Sequence, residues 1–183
     1  MKTNLIIVDD FYNNPYDVRA FALAQEFSVL GNFPGRRTKP FISQGVKDVI
    51  QRLIQPHGGN VTAWLDADHQ YTGSFQICTK DDKTWIHPDL YNTWAGVCYL
   101  NPDAPLTSGT MIYKHKATNQ FEYVDSFHNG NDYGEWEPVD YVANKFNRLV
   151  LYRGNLFHAS HSYFGDSMET GRLFQTFFFN SEF

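Results

Sequence analysis

The spacing of hydrophobic residues changes about one third of the way along the chain. A short apolar run, Leu5 to Val8, is stopped by two aspartates and predicts a buried strand. After Pro15, a residue suited to the first turn of a helix, apolar residues recur at helical spacing up to Gly31. A second apolar stripe, from Ile42 to Ile54, predicts another helix that ends at Pro56 and the two glycines after it. This first part is therefore predicted as one strand and two helices.

The stretch between the two helices, residues 32–40, is rich in Pro and Gly and predicts a loop. It carries two adjacent arginines, Arg36 and Arg37, which could reach an acidic substrate. A pair of cations in a loop is more commonly a solvated pair, and that is the interpretation favoured for them here.

From Val61 onward the pattern is that of short strands separated by turns. The predicted strands are residues 61–65, 74–79, 93–101, 110–114, 122–127, 148–152, 156–160 and 172–180. An aromatic content of 17% favours strands over helices in this part of the chain. Two helices followed by many short strands predict an α+β, mostly β chain with a sandwich or barrel body.

The longest irregular part of the chain is Gly- and Asn-rich and surrounds residues 128–134. Long loops in compact domains tend to be lids or binding loops. The sequence therefore predicts a mobile flap over residues 115–147, with Gly130 and Gly134 as hinges.

Length and charge narrow the classes of function. A chain of 183 residues suits one domain with a full core. The net charge of −5 and the lack of a basic stretch make nucleic acid an unexpected partner. Two distant cysteines, Cys78 and Cys98, and an apolar N-terminal run too short for a signal peptide or membrane helix predict a soluble protein of the cytoplasm.

The candidate chemistry centres on His87-Pro88-Asp89. In an extended strand, side chains at i and i+2 leave the same face, so the imidazole and the carboxylate would point together. A second histidine downstream, His158 or His161, would complete a facial triad of the kind found in non-heme Fe(II) oxygenases. Taken alone, a His-x-Asp pair is more often a hydrogen-bonded structural pair.

Three blocks of sequence, which follow one another along the chain, favour a metal site at His87 and Asp89 over a structural hydrogen-bonded pair. They are the His87-Pro88-Asp89 block, then WAGVCYLN at 94–101 with SGTM at 108–111, then RLVLY at 148–152 with LFH at 156–158 and GRLF at 171–174. Together they resemble the Fe(II)/2-oxoglutarate-dependent oxygenase superfamily, on its prolyl-hydroxylase-like branch. The resemblance covers residues 85–180, about half of the chain.

This resemblance implies a double-stranded β-helix, or jelly roll, with iron at its open end. Residues 1–60 would then be a strand and helical support, and residues 61–183 the jelly-roll core of a single domain. The resemblance implies His87, Asp89 and His158 as the metal ligands, with His158 preferred over His161. It also implies that Arg172 and Tyr99 hold the far carboxylate of 2-oxoglutarate, although a surface Arg172 and a plain core Tyr99 remain alternatives.

The implied activity is that of a dioxygenase that hydroxylates a small-molecule or peptide substrate. Fe(II), 2-oxoglutarate and O2 would be required, and 2-oxoglutarate would be decarboxylated to succinate. A peptidyl proline or a free amino acid is the favoured substrate, and the sequence does not predict an oligomeric state. A cupin-like metalloenzyme without 2-oxoglutarate and a non-catalytic jelly-roll binding module stay open. The remaining histidines, His57, His69, His115 and His128, are expected to be exposed or hydrogen-bonded.

Overall fold

A computed structural model describes residues 2–67, 71–125 and 128–183 and places two helices and ten strands in them. In chain order they are β1 (Leu5–Val8), α1 (Pro15–Leu23), β2 (Arg36–Pro40), α2 (Gln44–Gly58), β3 (Asn60–Trp64), β4 (Ser74–Cys78), β5 (Trp94–Tyr99), β6 (Thr110–His115), β7 (Trp136–Val142), β8 (Leu149–Arg153), β9 (His158–Ser160) and β10 (Arg172–Glu182). Single 3₁₀ turns lie at Leu106–Ser108 and Tyr133–Glu135.

The strands form two antiparallel sheets. The larger has the order β1-β8-β5-β10-β4-β2, and β3 pairs with the far end of the long strand β10. The smaller has the order β7-β6-β9. The sheets meet where the Tyr99 hydroxyl and the Thr110 hydroxyl lie 2.7 Å apart. This is the double-stranded β-helix that the family resemblance implies, and the mostly β class with two N-terminal helices is confirmed.

Both helices pack against the outer face of the larger sheet. Apolar side chains of α1 and α2, such as Ala22, Ile50 and Ile54, share one buried cluster with outward-facing residues of β10, such as Phe177 and Phe179. The inward-facing residues of the same strand alternate with these, as the two-residue period of a strand requires. The helices therefore leave the interior of the jelly roll free for the site.

The ends of the helices differ in part from the prediction. Helix α1 stops at Leu23, well before Gly31. Helix α2 continues through Pro56 and ends at Gly58, at the predicted pair of glycines, and the next residue, Gly59, has a φ of +78°. A Cβ at this glycine would lie 2.0 Å from the Glu182 carbonyl oxygen, so the turn both needs a left-handed residue and has no room for a side chain.

Strand β2 replaces part of the predicted loop at residues 32–40, and that prediction is wrong for Arg36–Pro40. β2 pairs with β4 and lies at the edge of the larger sheet. Its last residue is Pro40, and an edge strand tolerates a proline because one side of its ladder has no partner. This strand consists of polar residues and a proline, so it has no alternation of hydrophobic residues from which it could be predicted.

Strand β7 lies inside the predicted flap, so Trp136–Val142 is a paired strand and not part of an irregular loop. This strand pairs along β6 and is also an edge strand. It contains Pro138, and only its two end residues are buried. The predicted strand at 122–127 forms a single bridge, between Glu122 and Leu156, and its residues 126 and 127 lie outside the described residues.

Within the described ranges, neither helix combines the length and the apolar composition that crossing a bilayer would require.

Candidate active site

A backbone bridge brings the His87-x-Asp89 segment to the start of β9. The amide of His87 donates to the carbonyl of His158 at 3.0 Å, and the amide of His158 donates back at 3.0 Å. The amide of Asp89 donates to the carbonyl of Gly154 at 2.6 Å. A Cβ at Gly154 would lie 2.2 Å from the Asn92 carbonyl oxygen, so only glycine permits this approach. Paired backbones therefore fix the three side chains on one side.

The three side chains converge to the spacing of ligands around one metal ion. One nitrogen or oxygen atom from each of His87, Asp89 and His158 lies within 4.8 Å of the other two. His158 Nε2 is 3.4 Å from Asp89 Oδ2, and the two imidazole centroids are 4.6 Å apart. Metal–ligand bonds of roughly 2.0–2.2 Å at right angles place adjacent ligand atoms roughly 3 Å apart. The observed spacing therefore fits a small divalent cation.

Hydrogen bonds fix the tautomer of both imidazoles. His87 Nδ1 lies 2.9 Å from the carbonyl oxygen of Trp85, and His158 Nδ1 lies 2.9 Å from that of Leu156. A carbonyl oxygen can only accept, so each Nδ1 carries the proton and donates it. In the neutral rings each Nε2 is left with a lone pair, which is the arrangement that metal-bound histidines adopt.

The electrostatics of the triad keep it ready for a cation. Burial lowers the pKa of His87, and the neighbouring His158 lowers it further, so the ring is neutral near pH 7. Burial alone would raise the pKa of Asp89, but a hydrogen bond and charge from a protonated His158, with His87 and Arg37, outweigh it and lower that pKa. The carboxylate is therefore ionised. When His158 is neutral, its Nε2 faces this carboxylate as a second acceptor, and a metal ion would take the place of the proton that lies between them in the charged form.

Arg172 and Tyr99 lie together on the inner face of the larger sheet. Arg172 is 1% exposed, its Nε donates to the Ser108 carbonyl at 2.7 Å, and its guanidinium carbon lies 4.4 Å from the Phe174 ring centroid. The same carbon is 5.4 Å from the Tyr99 ring centroid. Arg172 Nη1 is buried and has no hydrogen-bond partner among the described residues. A buried cationic donor without an acceptor is costly, and a carboxylate would supply the acceptor.

A second buried arginine, Arg37, faces the same interior and was missed by sequence reasoning. Strand register aligns Tyr99, Phe174, Gln76 and Arg37 in one row across β5, β10, β4 and β2. The interpretation of Arg36 and Arg37 as a solvated pair holds for Arg36, which is exposed, and is wrong for Arg37, which is 9% exposed. The two point to opposite faces because they are adjacent in a strand.

The triad and Arg37 line one cavity of about 680 Å³, within the range of about 300–1,000 Å³ usual for ligand sites. Residues that pack around Arg172, such as Phe174 and Tyr163, also line it, while Arg172 and Tyr99 themselves are not among the described residues that line it. The further lining residues include Phe33, Gln76, Trp85, Thr110, Tyr152, Thr176 and Phe178.

The structure keeps the remaining histidines away from the triad. His161 is exposed at the end of β9, where its ring contacts Tyr141 with centroids 5.6 Å apart. His115 and His128 stack on each other with centroids 3.9 Å apart, beside Trp136. His57 Nδ1 lies 3.1 Å from the Thr3 hydroxyl, while His69 lies outside the described residues. The structure thus brings His158, and not His161, next to Asp89.

Several solved structures share this fold. HygX from Streptomyces hygroscopicus, solved with nickel and 2-oxoglutarate bound, aligns with a TM-score of 0.63 at 14% identity, over 100% of this chain and 84% of its own. A prolyl-4-hydroxylase from Pseudomonas putida aligns with a TM-score of 0.52 at 12% identity, over 97% of this chain and 92% of its own. A Trichoplax adhaerens prolyl hydroxylase, in complex with a hypoxia inducible factor peptide fragment, aligns with a TM-score of 0.52 at 11% identity, over 96% of this chain and 83% of its own.

No protein-family model matches the sequence, and no curated protein matches it either. At 11–14% identity, the shared property is the fold. What the site does must therefore be argued from its own residues.

Proposed function

We propose that the protein is an Fe(II)- and 2-oxoglutarate-dependent dioxygenase that hydroxylates a small-molecule or peptide substrate. The observation that carries this proposal is the His87, Asp89 and His158 cluster, in which His158 Nε2 and Asp89 Oδ2 stand 3.4 Å apart on the wall of a cavity. Two imidazoles and one carboxylate on one face leave coordination positions open, and that donor set suits non-heme Fe(II).

In this proposal His87, Asp89 and His158 hold the metal. When bound, iron with 2-oxoglutarate and O2 supplies the oxidising power to hydroxylate a C–H bond while 2-oxoglutarate is decarboxylated to succinate. The chain supplies geometry. The Trp85 and Leu156 carbonyls orient the two imidazoles, and the aromatic rings of Trp85 and Tyr152 stand beside His87 and His158.

Arg172 would bind the distal carboxylate of 2-oxoglutarate. Its Nε is already held by the Ser108 carbonyl, so the guanidinium plane is fixed before the ligand arrives. Nη1, which lacks a partner among the described residues, would donate to the carboxylate. The Tyr99 hydroxyl, now 2.7 Å from the Thr110 hydroxyl, would supply a second donor. Phe174 and Tyr163, which pack near the Arg172 guanidinium, line the cavity, and in this proposal they adjust their side chains when 2-oxoglutarate binds.

The solved structures with this fold support the reaction class and the breadth of the substrate proposal. One has nickel and 2-oxoglutarate bound, another adds hygromycin B to these, and a third holds a peptide fragment. For this chain we propose a free amino acid or a peptidyl proline as the substrate.

The test is succinate production from 2-oxoglutarate by the Fe(II)-loaded protein, screened over a panel of amino acids and proline-containing peptides. At least one compound should stimulate succinate release, and Asp89→Ala should abolish the stimulation while His161→Ala preserves it. Tight Fe(II) binding together with no binding of 2-oxoglutarate would support the cupin-like enzyme instead. A protein that binds neither would be a jelly-roll binding module.

We also propose that residues 1–183 act as one domain, in which residues 1–60 support residues 61–183. Strands β1 and β2 are part of the larger sheet, and α1 and α2 cover its outer face. A protein that starts at Val61 would expose that apolar face and lose Arg37 from the cavity. It should be insoluble or molten, and a well-folded, metal-binding truncation would contradict the single-domain proposal.

A further inference from the structure

We infer that Arg37 forms a second carboxylate-binding subsite, which takes the carboxylate of the hydroxylated substrate and restricts that substrate to small acids. This inference rests on the proposed function, because it assigns the second of two buried arginines once Arg172 is given to 2-oxoglutarate. It separates the two substrate classes left open above, since an internal peptidyl proline carries no carboxylate next to its ring.

The Arg37 side chain is held in place before any ligand binds. Its Nε donates to Gln76 Oε1 at 2.7 Å, and Gln76 Nε2 donates to the Pro34 carbonyl at 2.7 Å. Because the Pro34 carbonyl can only accept, it fixes which end of the Gln76 amide faces Arg37. The guanidinium carbon lies 3.9 Å from the Phe33 ring centroid and 5.6 Å from that of Phe178. The Arg37 guanidinium is thus held by Gln76, Phe33 and Phe178 on three sides.

The two terminal nitrogens of the Arg37 guanidinium, Nη1 and Nη2, donate to no described residue. No described carboxylate forms an ion pair with Arg37, and Asp89, whose charge acts on it through space, belongs to the triad. Burial lowers the pKa of Arg37 to about 10, partly offset by Asp89, so the guanidinium is charged at neutral pH. A charged guanidinium on the wall of a cavity partly lined by aromatic rings is a site for a planar anion that can accept two parallel hydrogen bonds.

The charges of the proposed complex point the same way. A divalent metal with one carboxylate ligand has one positive charge left, and Arg172 adds another. Bound 2-oxoglutarate, a dianion, neutralises both, and Arg37 then remains as an uncompensated buried cation. A substrate carboxylate would balance it, whereas a cationic substrate would add to it.

The test uses Mn(II)- and 2-oxoglutarate-loaded protein with acetate, propionate and benzoate, each paired with its amide. Mn(II)-induced relaxation of the ligand protons reports both binding and nearness to the triad, with a Zn(II)-loaded sample as diamagnetic reference. Wild type should bind at least one acid about tenfold or more tightly than its amide. Arg37→Gln should abolish this preference, and Arg37→Lys should keep part of it.

Arg36→Gln is the matched control, because it removes the same charge from the neighbouring, exposed residue. It should leave the preference for acids intact. Equal binding of acids and amides by wild type, or a preference that survives in Arg37→Gln, would overturn the inference. Tighter binding of methyl phosphate than of acetate would overturn the assignment to a carboxylate.

Titration of 2-oxoglutarate into the same Mn(II)-loaded variants separates this inference from the proposed function. Arg37→Gln should change that affinity less than threefold. If Arg37→Gln loses 2-oxoglutarate and Arg172→Ala does not, Arg37 anchors the cosubstrate and the inference fails while the dioxygenase stands. If wild type binds no 2-oxoglutarate, the dioxygenase fails, and the acid–amide comparison on the Mn(II)-loaded protein still tests Arg37.

Discussion

The His87–Asp89–His158 cluster and the Arg172–Tyr99 pair both lie inside the jelly roll, but they leave opposite kinds of polar groups unsatisfied. The triad presents two imidazole lone pairs and a carboxylate to one another, so it has acceptors and needs a cation. Arg172 presents a buried donor with no described acceptor, so it needs an anion. A ligand that chelates a cation at one end and carries a carboxylate at the other would satisfy both regions.

The two regions also differ in how the fold holds them. The triad stands on segments outside the larger sheet, joined by one backbone bridge and by the close approach of Gly154 to Asn92. Arg172 and Tyr99 stand on the central strands β10 and β5, with neighbours on both sides. This difference predicts that removing any one metal-binding side chain of the triad strongly weakens metal binding. Changes at Arg172 or Tyr99 should instead lower the affinity for 2-oxoglutarate and leave the metal affinity nearly unchanged.

The largest expected effect is loss of metal from the triad. His158→Ala or Asp89→Ala should lower Mn(II) affinity roughly 10²-fold or more, because each removes one of only three protein ligands. Calorimetric titration of Mn(II) into the apo-protein measures this. His161→Ala is the control, since His161 is exposed beside Tyr141. Full metal affinity in His158→Ala with loss in His161→Ala would reverse the assignment of the distal ligand.

A smaller but still large effect is expected at Arg172. Arg172→Ala should raise the dissociation constant for 2-oxoglutarate by roughly 10²-fold, because charge-assisted hydrogen bonds are worth about 1.5–3 kcal/mol each. Mn(II) affinity should change little. Arg172→Lys should be intermediate, as lysine keeps the charge and loses the fork. If Arg172→Ala binds 2-oxoglutarate as tightly as wild type does, the Arg172 guanidinium does not bind the cosubstrate.

The smallest effect is expected at Tyr99. Tyr99→Phe removes one neutral hydroxyl and should weaken the binding of 2-oxoglutarate by about 1 kcal/mol, roughly fivefold in the dissociation constant. Tyr113→Phe makes the same chemical change in a separate aromatic cluster and should have no effect on this affinity. An unchanged affinity in Tyr99→Phe would show that its hydroxyl serves only the contact with Thr110 between the sheets.

His87 and Asp89 could be found from the sequence because they are two residues apart and their signal is local. His158, Arg172 and Tyr99 could be named only through the resemblance, which depends on the order of three sequence blocks that lie far apart in the chain. The structure places them where those patterns suggest: the histidine and carboxylate converge, and Arg172 is buried among aromatic rings. Their roles as ligands and as the cosubstrate anchor stay predictions until the titrations above are done.

Sequence reasoning could not find Arg37, because what distinguishes it from Arg36 is its place in a sheet. β2 has no hydrophobic alternation, and its backbone pairing with β4 and with Val29 decides which arginine faces inward. β7 was missed for a related reason, since Pro138 and a mostly exposed run are tolerated only where one side of a strand is unpaired. Both errors lie at sheet edges, where pairing rather than composition fixes the structure.

The row that joins Tyr99, Phe174, Gln76 and Arg37 has a consequence for how such a protein could change over evolutionary time. Tyr99 and Phe174 stand on strands that have neighbours on both sides, so altering them disturbs the sheet around them. Arg37 stands on the last strand of the order, and on its outer side it forms, among the described residues, only a two-residue bridge with Val29. In the proposed enzyme, residue 37 is therefore where a new substrate preference could be acquired by a single codon change, or by directed evolution, while the proposed metal and 2-oxoglutarate sites are inherited unaltered.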